Sequence, residues 1–297
     1  MAVKKRTEAD WQDFRVFLAL GRHGSLSAAA RTLSVNHATI ARRLRSLEAA
    51  LGERLVDRRP DGYVLTPAGT RTLAAANDME TAVQTLGRGG ADNAPRGMVR
   101  VNTPPGLAQG YLTSRLAEIP GKYPGLDIEL ATEIRTVSLE RHEADIAVRL
   151  GRPQDGDFLA RPLVTMGFGF YGKPSLCRKI EAGAMPVFVG FDESNAHVPE
   201  AVWLMRHFPR ARLSFRANNQ FAQATAAISG AGLALLPHYL GRTQRGLRLC
   251  HLPVTLPLRE LWLLTRRQDR KDQPIRIVAD HITQAFAAER ALFVEAE

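Results

Sequence analysis

Three residues, Ser34, Val35 and Asn36, separate two helical patterns, and this spacing constrains the fold of the N-terminal region more than any other feature. Upstream, Ser25 offers an N-cap, and Ala28, Ala29 and Leu33 build a short helix from about Leu26 to Leu33 whose small side chains let another helix pack closely. Downstream, Asn36 caps a helix from His37 to about Leu51 that stops at Gly52. Ahead of both, Trp11, Phe14, Phe17 and Leu18 recur at helical spacing from about Asp10 to Arg22. Two short helices joined by so tight a turn make a helix-turn-helix.

The charge sits on this same region. Between Arg22 and Arg71 nine arginines stand against four acids, which leaves +5, half of the formal net charge of +10 carried by all 297 residues. Such concentration suits a polyanionic partner. Only six of the 40 cations are lysine, a bias that fits bidentate contacts to phosphate or guanine and that a GC-rich coding sequence would equally produce. With a turn of about 100° per residue, Ile40, Leu44 and Leu47 share one side of the third helix, leaving Ala38, Arg42, Arg45 and Ser46 on the other. A short, small and cationic outer face is what a helix in the major groove needs.

Arg54 to Arg58 and Tyr63 to Thr66 read as short extended runs joined by the turn Arg59, Pro60, Asp61 and Gly62, a wing whose Arg58 and Arg59 would hold phosphates. Thr66 and Pro67 then open a fourth helix to about Leu86. Its stripe of Leu73, Ala76, Met79, Val83 and Leu86 suits pairing with a second copy, or packing on its own chain. Glycines and a proline in Gly87 to Gly97 mark the main joint. The expected division is 1–66 for the DNA-binding head, 67–90 for a dimerising linker helix and 91–297 for the remainder.

That remainder alternates strand and helix. Strands are expected around Val99 and Val101, over Leu126 to Leu130, Ala144 to Leu150, Pro186 to Phe191, Arg212 to Phe215 and Leu233 to Leu236. Helices open at Thr103-Pro104-Pro105-Gly106 and cover Glu200 to Phe208 and Asn219 to Ser229. The order predicts an α/β fold with a mostly parallel sheet, in two lobes with a cleft between them. Gly167 to Gly172, glycine alternating with aromatics, reads as a strand crossing between the lobes rather than a phosphate loop.

Other classes are excluded residue by residue. Cys177 and Cys250 are too few for a disulfide framework and read as thiols of a cytoplasmic chain. No run of about 18 apolar residues occurs, so neither a membrane span nor a signal peptide is expected. Eight histidines show no metal-ligand spacing, and Glu143 beside His142 reads as a surface pair. With no nucleophile elbow, P-loop or dinucleotide fingerprint, neither catalysis nor a cofactor is expected.

The stretch from Ser25 to Gly69 resembles the N-terminal winged helix-turn-helix of LysR-type transcriptional regulators. The likeness rests on Ala28-Ala29, Leu33, the helix from Ala38 to Leu51, Leu47-Glu48, Leu51-Gly52, Leu55 and Leu65-Thr66-Pro67-Ala68-Gly69. It continues through Tyr123-Pro124, Glu143-Ala144-Asp145-Ile146-Ala147 and the run from Gly230 to Pro237. The resemblance implies a linker-helix homodimer assembling to a tetramer, a two-lobed effector domain similar to periplasmic binding proteins, and double-stranded operator DNA as partner. It carries the DNA-contacting role onto Asn36, His37, Ala38, Thr39, Ala41, Arg42 and Arg45. Where the family most often has Ser-Gln-Pro, this chain has Asn36-His37-Ala38, and Ala41 replaces the usual serine. A transport-type solute-binding protein shares the two-lobed fold, but the basic N-terminal module argues against it. An enzyme fused to a DNA-binding head is the other rival, and it lacks a catalytic constellation.

The expected effector is small and anionic or strongly polar, held between the lobes by Thr103, Thr132, Arg149 and Asn218. Thr103 and Asn218 stand at helix starts, whose free N–H groups favour negative charge. Thr132 and Arg149 follow strands, and ligands of open α/β sheets bind beyond the carboxyl ends of strands.

Overall fold

A computed structural model describes residues 9–59, 62–86, 94–132, 144–153 and 156–294. The chain divides into two units, Met1–Gly97 with Val137–Asp145, and Met98–Thr136 with Ile146–Glu297.

In the first unit the helix boundaries follow the capping residues. Helix α1 (Trp11–His23) starts at Asp10, whose carboxylate accepts from the Gln12 amide, and ends at Gly24 in the left-handed conformation. Helix α2 (Leu26–Thr32) is capped by the Ser25 hydroxyl, and α3 (His37–Leu51) by Asn36, whose side chain accepts from Thr39 N at 2.8 Å. Strands β1 (Val56–Arg59) and β2 (Gly62–Leu65) pair antiparallel, Arg58 opposite Tyr63 and Arg59 opposite Gly62. Pro60 and Asp61 of the expected turn lie outside the described residues. Helix α4 (Pro67–Leu86) begins where Thr66 Oγ1 accepts from Gly69 N at 2.9 Å. Gly69 has no substitute, because a Cβ there would lie 1.9 Å from the Leu55 carbonyl oxygen.

The apolar faces of these helices enclose Phe17, Leu20, Ala29, Ile40, Leu47 and Leu55. The stripe on α4 divides. Leu73 and Ala76 are buried in this core, and Leu73 presses so closely on Gly21 that a Cβ there would meet its side chain at 2.7 Å. Met79 and Val83 are 41% and 52% exposed. The N-terminal part of the stripe therefore packs on its own chain, which corrects the reading of all five positions as one pairing face. The side chain of Leu86 lies outside the described residues.

The second unit begins at Met98 within β3 (Gly97–Asn102), followed by α5 (Pro105–Leu107), a π-helical turn (Ala108–Leu112) and α6 (Thr113–Leu116). Then come α7 (Ile119–Lys122), β4 (Leu126–Ala131), β5 (Ile146–Leu150) and the long β6 (Phe158–Gly172). The chain continues through α8 (Pro174–Glu181), β7 (Phe188–Gly190), α9 (Pro199–His207), β8 (Leu213–Arg216), α10 (Gln220–Ile228) and β9 (Leu233–Pro237). It ends with α11 (His238–Gly241), β10 (Arg248–Cys250), β11 (Leu258–Arg266) and α12 (Gln273–Ala288).

Among the described residues the strands run in the order β4-β3-β5-β11-β6-β9-β7-β8, with β10 also on β6. The expectation of a mostly parallel sheet needs correction. β3 with β5, and β7 with β8 and β9, are parallel, whereas β11 pairs antiparallel with β5 and β6, and β6 antiparallel with β9 and β10. The cause is the crossing strand. Up to Gly167 β6 pairs with β11 in one lobe, and from Phe168 it pairs with β9 in the other, so the glycine-aromatic run does join the lobes. Each lobe has its own aromatic centre, Tyr111 with Phe286 and Phe293 in the first, Phe170 with Phe188 and Phe208 in the second.

Candidate DNA interface and ligand cavity

Helix α3 is built with two unlike sides. Ile40, Leu44 and Leu47 are buried in the head, while His37, Ala38, Arg42 and Arg45 are exposed and Thr39 and Ala41 half-buried. Arg42 and Arg45 form no ion pair with described residues, whereas Arg43 turns inward to the buried Asp13 at 2.9 Å. Asn36 spends its side-chain oxygen on the Thr39 amide, leaving its NH2 group as a donor. The helix start with His37 and Ala38 is thus uncrowded and the next turn cationic, which allows close approach to a polyanion.

Arg58 and Arg59 are both exposed on the wing, and successive strand residues point to opposite faces, so they cannot serve one surface equally. The wing is hung on α3 by Glu48, whose carboxylate accepts from the Leu55 amide at 2.8 Å and the Val56 amide at 3.4 Å. Periodicity gives no hint of this role. The only sequence signal for Glu48 is its place in the resemblance.

In the second unit a cavity of about 400 Å³ opens between the two lobes. Leu107, Met166, Phe168, Phe191, Phe221 and Tyr239 form its apolar walls, and Gln109, Asn195, Asn218, Asn219 and Gln220 add amides. Gly106 and Gly110 lie one helical turn apart, facing the second lobe. A Cβ at Gly106 would have ordinary contact with Tyr239 Oη at 3.4 Å, and one at Gly110 would meet the Tyr239 ring at 2.9 Å. The π-helical turn includes Gly110 and lies at this approach. Burial pushes the Tyr239 phenol above its usual range, so it stays protonated.

The expected contacts divide around this cavity. Asn218 is in the lining, although the residue that caps α10 is Asn219, whose side chain accepts from Ala222 N at 2.8 Å. Thr103 is completely buried one residue before the lining Pro104, and among the described residues its hydroxyl has no hydrogen-bond partner, nor has the side chain of Asn102. Thr132 is exposed just after Ala131, whose carbonyl accepts from the Thr103 amide at 3.1 Å.

Arg149 is a correction. Leu150 and its partner Leu261 line the cavity, so strand alternation puts Arg149 and its partner Trp262 on the other face. Its guanidinium donates to the carbonyls of Val148 at 3.0 Å and Asn102 at 3.4 Å, and burial lowers its pKa. No Lys, Arg or His is among the described lining residues. The one acid there, Glu200, is held by Arg259 at 2.9 Å. The start of α10 at Gln220 favours a negative group by about 0.3–1 kcal/mol. Removing an unpaired carboxylate from water costs several kcal/mol, so this start does not replace the missing cation. The anionic reading loses its main support.

Sequence reasoning missed Phe191, Phe221 and Tyr239, which look like ordinary core positions in their segments. Among the described residues no group of His, Cys, Asp and Glu could hold a metal ion, and no helix is long and apolar enough to cross a membrane. His142 and Glu143 lie outside the described residues.

Comparison with known proteins extends the geometry. The LysR substrate binding domain matches residues 92–287, and the bacterial regulatory helix-turn-helix of the lysR family matches residues 11–70. The Mau operon transcriptional activator of Paracoccus denitrificans is 32% identical over 292 residues, covering 94% of this chain and 97% of its own. The transcriptional activator AaeR of Escherichia coli is 26% identical, covering 94% and 95%. In fold the chain is similar to ArgP from Mycobacterium tuberculosis, with a TM-score of 0.68 at 17% identity over 93% of this chain and 96% of that one. Full-length OxyR from Pseudomonas aeruginosa gives 0.67 at 15% identity over 93% and 98%. The chain therefore belongs to the LysR family, and it is a transcriptional regulator that joins a winged DNA-binding helix-turn-helix to a two-lobed α/β effector-binding domain.

Proposed function

We propose that α3 enters the major groove of operator DNA, with Asn36, His37, Ala38, Thr39, Ala41, Arg42 and Arg45 as its groove face. Arg42 reads a base, and of Arg58 and Arg59, which point to opposite faces of β1, the one on the DNA side holds a phosphate. The observation that carries this reading is that Arg42 and Arg45 are exposed and form no ion pair with described residues, opposite a fully buried Ile40 and Leu47. Residues 1–66 act as the head, 67–90 as a linker helix that pairs two copies through Met79 and Val83, and 91–297 as the effector domain. Two such dimers form a tetramer in the cytoplasm, and no catalytic step is involved.

The effector is a small molecule in the cavity between the lobes, with Asn218 and Thr103 as polar contacts and Thr132 at the neighbouring strand end. Binding there shifts the population of effector-domain arrangements, and the linker helices pass that shift to the spacing of the heads. The test is footprinting and salt-dependent binding of the purified protein on DNA upstream of its own gene. Protection of two half-sites about one helical turn or a multiple apart supports the reading. Binding equal to that of random DNA at every salt concentration refutes it.

A further inference from the structure

The cavity between the lobes carries information about the charge of what it takes. Its walls are aromatic and aliphatic, its polar groups are amides, and its described lining holds one ionisable acid, already neutralised across the cavity edge by Arg259. Tyr239 stays protonated and offers an O–H. Arg149, the cation nearest in sequence to the lining Leu150, is on the opposite face of the sheet. Among the described lining residues a carboxylate or phosphate would meet no counter-charge, and an ammonium would have to compete with Arg259 for Glu200.

We infer that the effector is an uncharged molecule with a ring-sized apolar body and a carbonyl or amide end. This rests on the reading of the cavity as the effector site. The body fills the space between Phe168, Phe191, Phe221 and Tyr239. The polar end exchanges hydrogen bonds with the amides of Asn218 and Gln220 and with the first N–H groups of α10, which serve a neutral carbonyl oxygen at no cost in unpaired charge. The lining then selects against acids and amines of the same shape.

The experiment uses the full-length protein and three probes that share a benzene ring: benzamide, benzoate and benzylamine, compared by calorimetry and thermal shift at pH 7.5. The control is Gly106→Leu, since that position admits a Cβ at 3.4 Å from Tyr239 Oη and a larger side chain then fills the cavity. Benzamide should bind at least about tenfold tighter than either charged analogue, and Gly106→Leu should abolish its binding. If benzoate or benzylamine binds as tightly as benzamide and Gly106→Leu removes that binding, the inference is overturned while the cavity stands as a ligand site. If no probe binds, or binding ignores both Gly106→Leu and Phe221→Ala, the ligand-site reading falls and the inference with it.

Discussion

The outer face of α3 and the cavity of the second unit treat charge in opposite ways. On α3, Arg42 and Arg45 face solvent without an ion-pair partner among the described residues, and the neighbouring Arg43, which does have partners, is turned inward to Asp13. In the cavity the single acid is tied to Arg259, and what faces the space is hydrocarbon and amide. A polyanion approaching from water can use free cations because its counterions are released as it binds. A small ligand enclosed between lobes has no such reservoir, so its site must balance charge beforehand. On the proposed reading, the α3 face awaits a charged partner and the cavity is built to do without one.

The largest expected effect lies within α4 and would break the assumption that the head is independent of its linker. Leu73→Ala should cost about 2–5 kcal/mol of head stability, because it opens a cavity against Gly21 in a closed core. Val83→Ala should leave unfolding unchanged, whereas Val83→Glu should lower the sedimenting mass with the head still folded. Equal melting losses for Leu73→Ala and Val83→Ala would show the stripe to be one continuous surface.

The next effect separates the two units by pH. His238 is completely buried, with Nδ1 hydrogen-bonded to Tyr171 Oη at 2.8 Å and no partner on Nε2 among the described residues, and burial lowers its pKa from 6.5 to about 4. The folded form binds fewer protons than the unfolded form between these values, so the contribution is fully present above pH 6.5 and is lost as the pH falls to 4. Its size is about 3 kcal/mol. His23 and His37 of the head are exposed rather than buried. Denaturant unfolding followed by Trp203 and Trp262 fluorescence should therefore weaken steeply below pH 6.5, and His238→Asn should flatten that slope. An unchanged slope in the variant would move the acid sensitivity elsewhere.

Arg42→Ala should cost about 1–3 kcal/mol on the operator and relax preference at one position, with little change on random DNA. Equal losses on both would make Arg42 a phosphate contact. The smallest effects belong to the wing. Because Arg58 and Arg59 lie on opposite faces of β1, one of the two alanine variants should lower the salt slope by about one and the other should leave it near the wild-type value. Equal changes in both would require the wing to twist on binding.

Legibility in the sequence followed the range of the interactions involved. Helices α3 and α4 begin and end where reading predicted, His37 to Leu51 and Pro67 to Leu86, because Asn36, Gly52, Thr66 and Pro67 act within one turn of the positions they define. The outward set of α3 was equally legible, since helical periodicity fixes which residues oppose Ile40, Leu44 and Leu47. The strand at Leu126 to Leu130 could be located by alternation and the strand at Leu233 to Leu236 was also expected, and they are observed as Leu126–Ala131 and Leu233–Pro237, but neither reading carries a direction, so the antiparallel pairing of β6 and β11 stayed hidden. The α10 cap fell one residue later than expected, on Asn219 rather than Asn218, a choice between two adjacent caps that only the local backbone decides.

By itself the sequence determined the helix-turn-helix, its caps, its cationic face and the alternation of strands and helices beyond it, all properties set by residues a few positions apart. Tertiary structure alone decided that Leu73 belongs to the head while Val83 faces out, that Arg149 turns away from the cavity that Leu150 lines, and that Phe191, Phe221 and Tyr239 converge from separate segments. Each of these depends on which surface another part of the chain covers. Burial is a property of pairs of segments far apart in sequence, and neither composition nor period records it.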